Sequence, residues 1–587
     1  MIWLTGRKEP NVRMGKAKST DETLQKAFQL HQSGDLDQAE RLYDAVLKKH
    51  PGNGDALNLK AIIVQARGRH DEAIALFERA CKAVPNFADV PFNMANSLKA
   101  LGRNDEALAA YDKTLQLNPG YAGARLNAGT LLQKLGRASE AIASFREMTK
   151  IAPTDPRGHY NLALAITEAL DDTKNDDQRS AMITEAEQAF ARAQTLNPND
   201  ANIPFAFANL RSKQGDHTNA IELTKTALKL NPNWPEAWGN LGSHLEANGD
   251  PASAEAAFDK ALALNPESAG AIVNRGLAQL AQGNFNGWAD YARRFETSHA
   301  LYMKREWPWP KWDGSPLNGR EIFLWSDQGI GDEILYGSMI AEVATTAKSC
   351  VVECAPRLVP LYRRSFPDIE VVAKTTAEST SLLKRTFDFQ ASVLDLGQWY
   401  RRTLGRFPNR PHWLSADNSL AASLREKYLD RAPGASRLIG ISWRSANPMF
   451  GRQKSFDLQH FLPLFRVQGV SWLNVQYGDT AQDIERLQEY QGVTIIRDEN
   501  IDSLADLDSF AAQLSTLDAV ITVSNSTAHL AAALGVPVFL LLPEKKKKLW
   551  YWFGEGEFSP WYRSMRIKRG IFSDSIENIS IILRNIK

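Results

Sequence analysis

The sequence has few cysteines, no long apolar run and almost no net charge. Three cysteines among 587 residues are too few for a disulfide framework and indicate a reducing compartment. No run approaches the roughly 18 apolar residues of a membrane-spanning helix, and the apolar start at residues 1–6 is too short for a signal peptide. A formal net charge of +1 provides no general field for nucleic acid or an anionic membrane. We therefore expect a cytoplasmic protein without a membrane span or a nucleic-acid partner.

The length requires more than one hydrophobic core, so we expect at least two or three domains. Residues 1–20 are predicted to form a disordered leader, in which both Met1 and Met14 are candidate starts. Cys350 and Cys354 lie in an apolar run without a nearby histidine. They are interpreted as strand residues and not as metal ligands.

Helix pairs recur with a constant period through the first half of the chain. A proline ends each second helix, because proline lacks the N–H that a helix interior needs, and a glycine marks the turn within each pair. The prolines are spaced by 34 residues, with one step of 45, at positions Pro51, Pro85, Pro119, Pro153, Pro198, Pro232 and Pro266. The glycines are Gly34, Gly68, Gly102, Gly136, Gly215 and Gly249.

This period is that of the tetratricopeptide repeat. Small residues let the paired helices approach (Ala73, Ala107, Ala141, Ala220), and bulky ones fill the gap to the next pair (Phe77, Tyr111, Phe145, Phe258). The pattern predicts an α-solenoid over residues 21–296, with about seven units and a partial one. The longer step contains the polar segment DDTKNDDQ, which is predicted to be a loop.

An asparagine recurs eight residues after most of these prolines, on the first helix of its unit. The five positions are Asn93, Asn127, Asn161, Asn240 and Asn274, and the series is broken at Leu59 and Ala206. An amide can donate to and accept from a peptide backbone, so these residues could hold an extended polypeptide. Alternatively, they cap or bridge neighbouring repeats.

The period disappears after residue 296, where a linker over 297–319 leads to alternating strands and helices. Strands are predicted at 321–326, 349–354 and 369–373, and then at 437–443, 471–477, 493–497, 518–524 and 536–542. Helices are predicted at 457–467, 480–490, 503–516 and 525–535, with a final amphipathic helix in the tail. The alternation predicts parallel sheets in two Rossmann-like halves, 320–430 and 431–587, which is the GT-B architecture of sugar-nucleotide transferases.

The segment DQGIGDEILYGSMI follows the first predicted strand. Gly329 and Gly331 allow a tight turn into a helix, and Asp332 then lies at the helix N-terminus. A carboxylate there can accept a proton from a hydroxyl nucleophile. The alternative is that Asp332 only caps the helix.

A second segment, SNSTAHLAAALGVPVFLLLP, joins a strand to an alanine-rich helix. The helix N-terminus suits a nucleotide phosphate, and hydroxyl and amide groups surround it. The predicted donor-binding residues are Ser524, Asn525, Ser526, Thr527 and His529. The histidine is equally compatible with a packed position in the core.

Basic and acidic residues near these turns have less specific patterns. Arg444 and Lys454 follow a strand and could neutralise a leaving phosphate, or could lie in an ordinary surface loop. The lysine run at 545–548 is interpreted as a solvated loop near the donor site. Asp506 and Asp508 resemble a D-x-D metal motif, but acids that open a helix stabilise its dipole. We predict no metal there.

The string GIGDEI after the first strand resembles the corresponding turn of bacterial heptosyltransferases. The resemblance implies that Asp332 is the catalytic base, that AHLAAALGVPVFLLLP contacts the donor phosphates, and that Lys454 corresponds to a phosphate-contacting lysine. Heptosyltransferases usually have aspartate where Ser524 or Asn525 stands, which disfavours an ADP-linked donor. The asparagine series resembles that of the O-linked N-acetylglucosamine transferases.

The whole chain from residue 20 resembles bacterial tetratricopeptide-repeat glycosyltransferases, some of which attach nonulosonic acids such as pseudaminic acid to flagellin. The resemblance implies a cytoplasmic protein O-glycosyltransferase of GT-B type with a CMP-linked sugar donor, a Ser/Thr acceptor and no obligatory metal or other cofactor. Two other functions remain open. One is sugar transfer to a lipopolysaccharide or polysaccharide, and the other is an inactive repeat scaffold.

Overall fold

The computed structural model describes residues 18–297, 305–375, 380–445, 451–542, 549–553, 556–570 and 572–585. The chain divides into two compact units. One unit comprises Met1–Gly215 and Glu222–Asn231, and the other comprises Asp216–Ile221 and Pro232–Lys587. The last repeats therefore belong to the same unit as both sheets. The predicted lysine run at 545–548 and both candidate start residues lie outside the described residues.

The repeat region consists of seven helix pairs followed by α15 and the short α16, as the period predicts. The helices are α1 Lys18–Ser33, α2 Leu36–Lys49, α3 Gly54–Ala66, α4 His70–Ala83, α5 Asp89–Ala100, α6 Asn104–Leu117, α7 Ala122–Lys134, α8 Ala138–Ile151, α9 Pro156–Ala169, α10 Asp176–Leu196, α11 Asn202–Lys213, α12 His217–Leu230, α13 Pro235–Ala247, α14 Pro251–Leu264, α15 Ala269–Ala281 and α16 Gly287–Tyr291. A 3₁₀ turn over Ala292–Glu296 follows α16.

The turns within the pairs are confirmed by their backbone conformation. All six predicted glycines have φ between +74° and +88°, a region that L side chains rarely adopt. The predicted alanines and aromatic residues of the pair interfaces are fully buried. The predicted loop in the long step is wrong in part, because only residues 171–175 are non-helical. Asn175 accepts a hydrogen bond from Gln178 N and starts the 21-residue helix α10 within the polar segment.

The first sheet has four parallel strands in the order β3-β2-β1-β4. Its strands are β1 Glu321–Trp325, β2 Ser349–Cys354, β3 Glu370–Ala373 and β4 Phe389–Ser392. Cys350 and Cys354 are buried strand residues, as predicted. The strand β4 was not predicted. The accompanying helices are α17 Ile330–Gly337, α18 Ile340–Ala344, α19 Val359–Ser365, α20 Thr380–Leu383, α21 Gly397–Tyr400 and α22 Asn418–Asp430.

The second sheet has six parallel strands in the order β10-β9-β8-β5-β6-β7. Its strands are β5 Arg437–Ser442, β6 Val470–Asn474, β7 Ile495–Ile496, β8 Ala519–Val523, β9 Val538–Leu542 and β10 Met565–Arg569. The helices are α23 Gly451–Lys454, α24 Leu462–Phe465, α25 Ala481–Gln491, α26 Leu507–Ser515, α27 Ser526–Ala533 and the amphipathic α28 Phe572–Asn585. The strand β10 was not predicted.

One hydrophobic core extends from the last repeat into both sheets. It includes Trp288 and Tyr291 of α16, Leu324 of β1 and Leu540 of β9. A second core covers the other face of the six-stranded sheet, beneath α28. Among the described residues, no helix combines the length and the apolar character needed to cross a membrane.

Candidate functional site

Asp332 lies in the first turn of α17, at the carboxyl edge of the four-stranded sheet. Gly329 precedes the helix, and its carbonyl accepts hydrogen bonds from Asp332 N at 3.0 Å and Glu333 N at 2.9 Å. The N-cap residue of α17 is Gly329, which has no side chain with which to cap the helix. The Asp332 carboxyl group accepts from its own backbone N–H in the first turn. Stabilisation of the helix start therefore stays an alternative role for this residue.

The carboxyl group of Asp332 has a strongly perturbed pKa. The pKa is raised from 3.8 to about 7, and burial is the largest cause. Within this net shift, the negative charge of Asp327 also raises the pKa, and the positive charge of Lys454 lowers it. Asp332 as a whole residue is partly exposed, whereas its carboxyl group is surrounded by other protein groups. A carboxylate with a pKa near 7 is suited to accepting a proton at neutral pH.

The N-terminus of α27 faces that of α17. A Cβ atom added to Gly331 would lie 3.3 Å from Cδ2 of His529, so no larger residue fits between the two helices without displacement of the histidine. The Asp332 turn beside the four-stranded sheet and the His529 turn beside the six-stranded sheet thus lie close together. The first N–H groups of a helix have no partner within the helix, which makes the start of α27 a suitable position for an anion.

Most of the polar side chains predicted at the second turn are buried and hold the turn itself. Asn525 caps α27 by accepting from Ala528 N at 3.1 Å. Ser524 accepts from the Trp552 indole at 2.9 Å, and Thr527 donates to the Val475 carbonyl at 3.4 Å. Ser526 is partly exposed.

Three neighbouring strands of the second sheet are joined at their carboxyl ends by side chains. Asn525, after β8, donates to Ser442 Oγ at 2.7 Å. Ser442, at the end of β5, donates to Gln476 Oε1 at 2.9 Å. Gln476 follows β6, and the same oxygen accepts from the backbone of Trp443 and Arg444. The network fixes the turn at the start of α27 relative to the β6 edge.

His529 is a packed, neutral histidine. Its ring is stacked on Trp552 at 4.9 Å, and its Nδ1 lies 2.8 Å from the Tyr562 hydroxyl. Burial and then the charge of Lys454 lower its pKa from 6.5 to about 3. A neutral imidazole at this position can accept or donate a hydrogen bond but adds no charge.

A group of tyrosines around Asp332 was not recognised in the sequence. Tyr336, Tyr551 and Tyr562 are all buried and interact electrostatically with Asp332, and burial raises the pKa of each well above 10. They therefore remain protonated hydroxyl groups. The aromatic run LWYWF at 549–553 was the available signal for one of these residues, Tyr551.

The structure separates the two predicted cations. Lys454 is buried and acts on both Asp332 and His529. Arg444 is 40% exposed, forms an ion pair with Asp483 at 3.1 Å and donates to the Asp479 carbonyl at 2.7 Å. Lys454 therefore belongs with the facing helix N-termini, whereas Arg444 lies on the α25 side of the sheet edge.

A polar cavity of about 370 Å³ lies beyond β6 and β7. Its lining includes Asn474, Gln476, Arg497, Asp498 and Asp502. The volume falls within the range of small-molecule sites. Gln476 lies near the end of the predicted strand 471–477, and Asp498 directly follows the predicted strand 493–497. Their position at a sheet edge was the signal that could have identified them.

The predicted acidic motif has structural partners. Asp506 caps α26 by accepting from the backbone of Asp508 and Ser509. Asp508 accepts two hydrogen bonds from Arg364, of which one is 2.8 Å long and the other 2.5 Å. These contacts join the second half to α19 of the first half.

The five predicted asparagines lie on first helices and are partly exposed. Asn127 Nδ2 donates to Asn96 Oδ1 at 2.9 Å, which bridges two repeats, and Asn161 Nδ2 donates to the Arg157 carbonyl of its own helix at 2.8 Å. An amide has two donors and one oxygen with two lone pairs, so one such bond leaves capacity for a ligand. The bridging role and the peptide-binding role are therefore compatible at these positions.

Known repeat families match much of the helical region. Residues 30–86, 92–156, 205–269 and 241–298 match a family described as tetratricopeptide repeat, and residues 64–114 match a second family with that description. The chain therefore contains tetratricopeptide repeats, which indicate binding to another protein.

The chain is also similar to Protein FlbA of Caulobacter vibrioides, with 28% identity over 457 residues. The match covers 68% of this chain and 75% of that protein. Residues 1–296 make up only about half of the chain, so the similarity includes residues from both the repeats and the sheets.

Solved structures of repeat proteins are similar to smaller parts of this chain. YrrB, described as having an unusual peptide-binding site, is 23% identical with a TM-score of 0.29, and the match covers 33% of this chain and 95% of YrrB. A tetratricopeptide-repeat protein from Parabacteroides merdae is 20% identical with a TM-score of 0.32, and the match covers 45% of this chain and all of that one.

Proposed function

We propose that this protein is a GT-B glycosyltransferase that transfers a sugar from a nucleotide donor to a Ser or Thr hydroxyl of a polypeptide bound by the repeats. The observation that supports this most directly is the meeting of two helix N-termini. One carries Asp332 with a pKa near 7, and the other provides N–H groups for a phosphate beside the buried Lys454. A proton acceptor and a phosphate site are what this group transfer requires.

In the proposed reaction, the Asp332 carboxylate takes the proton of the acceptor hydroxyl. The oxygen forms a bond to the anomeric carbon, and the bond from that carbon to the donor phosphate oxygen breaks. The departing nucleotide keeps the electron pair of that bond. Lys454 and the N-terminus of α27 stabilise the resulting negative charge.

The polar cavity beyond β6 and β7 is the proposed position of the nucleoside. Gln476 lines it and is also part of the hydrogen-bonded network that ends at Asn525, so the network connects the nucleoside position to the phosphate position. Asp498 and Asp502 offer acceptors for ribose hydroxyls. A CMP-linked nonulosonic acid is the donor that the sequence resemblance implies.

The repeats are the proposed acceptor-binding region, and a flagellin in the cytoplasm is the proposed acceptor. The partly exposed asparagines supply donors and acceptors for an extended backbone. Backbone recognition of this kind has little sequence preference, which suits an enzyme that modifies several Ser or Thr residues.

The test is the intact mass of flagellin co-expressed with this protein. We expect a mass increment equal to a sugar, and we expect Asp332→Asn to abolish it while leaving the protein folded. Asp574→Asn is the matched control, since Asp574 is an exposed acid in the first turn of α28. Transfer by the Asp332→Asn variant at the wild-type level would exclude the base role.

The role of the repeats is best tested by substitution. Deletion of residues 20–296 is unsuitable because it would also remove Trp288. The Nε1 of this residue donates to the Arg401 carbonyl at 3.0 Å within the proposed transferase region. Combined Asn93→Ala and Asn161→Ala substitutions are expected to lower transfer to the protein at least about tenfold, since each removes a polar contact. Asn104→Ala, on the second helix α6, serves as the control.

The outcomes separate the rival functions. A change in surface polysaccharide with no modified protein would indicate a carbohydrate acceptor. Absence of nucleotide binding and of any transferred sugar would indicate a scaffold.

A further inference from the structure

Arg294 is a fully buried arginine contributed by the last segment of the repeat region. It lies in the 3₁₀ turn Ala292–Glu296 that follows α16, and this turn belongs to the same compact unit as both sheets. A buried guanidinium loses its hydration, and it is tolerated only where acidic groups and hydrogen bonds replace the water.

The guanidinium joins the carboxyl ends of two neighbouring strands. Its Nε donates to Asp327 at 2.8 Å, its Nη1 to Asp395 at 2.6 Å and its Nη2 to Ser392 at 3.1 Å. Ser392 in turn donates to the other oxygen of Asp327 at 2.7 Å. Asp327 follows β1, whereas Ser392 and Asp395 lie at the end of β4. The planar fork of arginine suits this arrangement, and a lysine cannot reproduce it.

The same repeat segment makes a second contact with the turn that leads to Asp332. Gln328, next to Asp327, donates to the hydroxyl of Tyr291 in α16 at 2.8 Å. Residues 327 and 328 are thus each held by a residue of the segment 287–296. The helix that carries Asp332 begins only two residues later, at Ile330.

Asp327 also influences Asp332 through its charge. Its anion raises the pKa of the Asp332 carboxyl, after the larger effect of burial. The other charged or titratable groups that act on Asp332 are Glu333 on the same helix, Lys454 from α23, and Tyr336, Tyr551 and Tyr562. Arg294 is paired with Asp327 at 2.8 Å.

We propose that Arg294 is a positioning residue that fixes the turn bearing Asp332, so that the last repeat segment completes the reaction centre. This rests on the proposed function only in taking Asp332 as the reacting group. The array would then be an integral part of the site as well as a binding module, because its final turn supplies the cation between the two strand ends.

The first test compares Arg294→Lys with Arg293→Lys. Arg293 is the exposed neighbour and pairs with Glu296 at 2.6 Å. Arg294→Lys keeps the charge but loses the fork, so we expect kcat to fall at least about tenfold with the donor KM nearly unchanged. Arg293→Lys should behave as the wild type. A folded Arg294→Lys protein with the wild-type kcat would overturn the proposal.

The second test does not require sugar transfer. At each pH, the Tm of a protein is compared with the Tm of the same protein carrying Asp332→Asn. The pH dependence of this Tm difference reports the titration of Asp332. Asp327→Asn removes the anion and should move the midpoint of this curve down by about one pH unit, whereas Arg293→Lys should leave it in place.

An unchanged midpoint in the Asp327→Asn protein would overturn the electrostatic link between Asp327 and Asp332, whereas the kcat comparison decides the positioning role of Arg294. If the wild type transfers no sugar, the proposed function fails, but the Tm curves still decide whether Asp327 acts on Asp332. If Arg294→Lys does not fold, Tyr291→Phe decides by the same kcat comparison, because it removes only the hydroxyl that accepts from Gln328. A folded Tyr291→Phe protein with the wild-type kcat would then overturn the proposal.

Discussion

The indole Nε1 of Trp552 donates a 2.9 Å hydrogen bond to Ser524 Oγ, and the same indole is stacked on the ring of His529. One side chain from the aromatic run 549–553 therefore supports both the strand end before α27 and the histidine within its first turn. This contact connects a segment that shows no obvious chemical motif to the proposed phosphate site.

Replacing Trp552 with phenylalanine should weaken the donor site. The ring stack is largely kept, but the buried Ser524 hydroxyl loses its donor, which costs about 1–3 kcal/mol. We expect a lower Tm and a higher donor KM. Trp238→Phe is the control, because the Trp238 indole donates to the exposed Pro232 carbonyl at 2.9 Å. Equal effects of the two substitutions would contradict a special role for Trp552.

The pKa of Asp332 predicts a specific pH dependence of stability. Its value in the folded state is raised from 3.8 to about 7, so the folded protein keeps a proton that the unfolded chain has released. The favourable contribution of the protonated Asp332 carboxyl to the free energy of unfolding is complete below about pH 4 and is lost as the pH rises through 7. The Tm of the wild type relative to Asp332→Asn should therefore fall between about pH 4 and pH 8. A constant difference would show that the carboxyl group is not perturbed.

His529 should give a pH dependence of stability with the opposite sign. Its pKa in the folded state is lowered from 6.5 to about 3, so the folded protein resists protonation. The favourable contribution is present above pH 6.5 and is lost as the pH falls toward 3. Relative to His529→Asn, which does not titrate, the wild type should lose Tm on acidification from about pH 7 to pH 4. An increase in the relative Tm would contradict a buried neutral histidine.

Two glycines on α13 provide a test of repeat packing. A Cβ atom at Gly242 would lie 2.6 Å from the ring of Phe258, whereas nothing lies within 4 Å of one at Gly239. Gly242→Ala should destabilise the unit by about 1–3 kcal/mol through overpacking. Gly239→Ala should be neutral or stabilise by up to about 1 kcal/mol, because alanine favours helix. Thermal unfolding of both variants checks this, and equal shifts would contradict the packing argument.

The strands that the sequence predicted are those with strong apolar runs, such as β8 and β9. The strand β10 was missed because its sequence MRIKR contains three basic residues and resembles a surface segment. Its pairing with β9 buries Met565 and Ile567. For β4, only Ala391 and Ser392 are buried, so the short segment carried little signal.

The sequence also predicted only part of the candidate site. Asp332 and the turn at Ser524 and Asn525 could be proposed from the sequence because each lies in a turn at the end of a predicted strand. The environment of Asp332 was not, because Arg294, Tyr551 and Tyr562 are distant from it along the chain.

The sequence by itself determined the features that depend on neighbouring residues. The 34-residue period, the glycine turns with positive φ and the strand-to-helix turns all follow from local backbone preferences and from the spacing of apolar side chains. Only the tertiary structure decided which groups surround Asp332 and how easily it ionises. Burial and charge act over distances in space, and folding brings the last repeat segment, Lys454 and the aromatic run to the same carboxyl group.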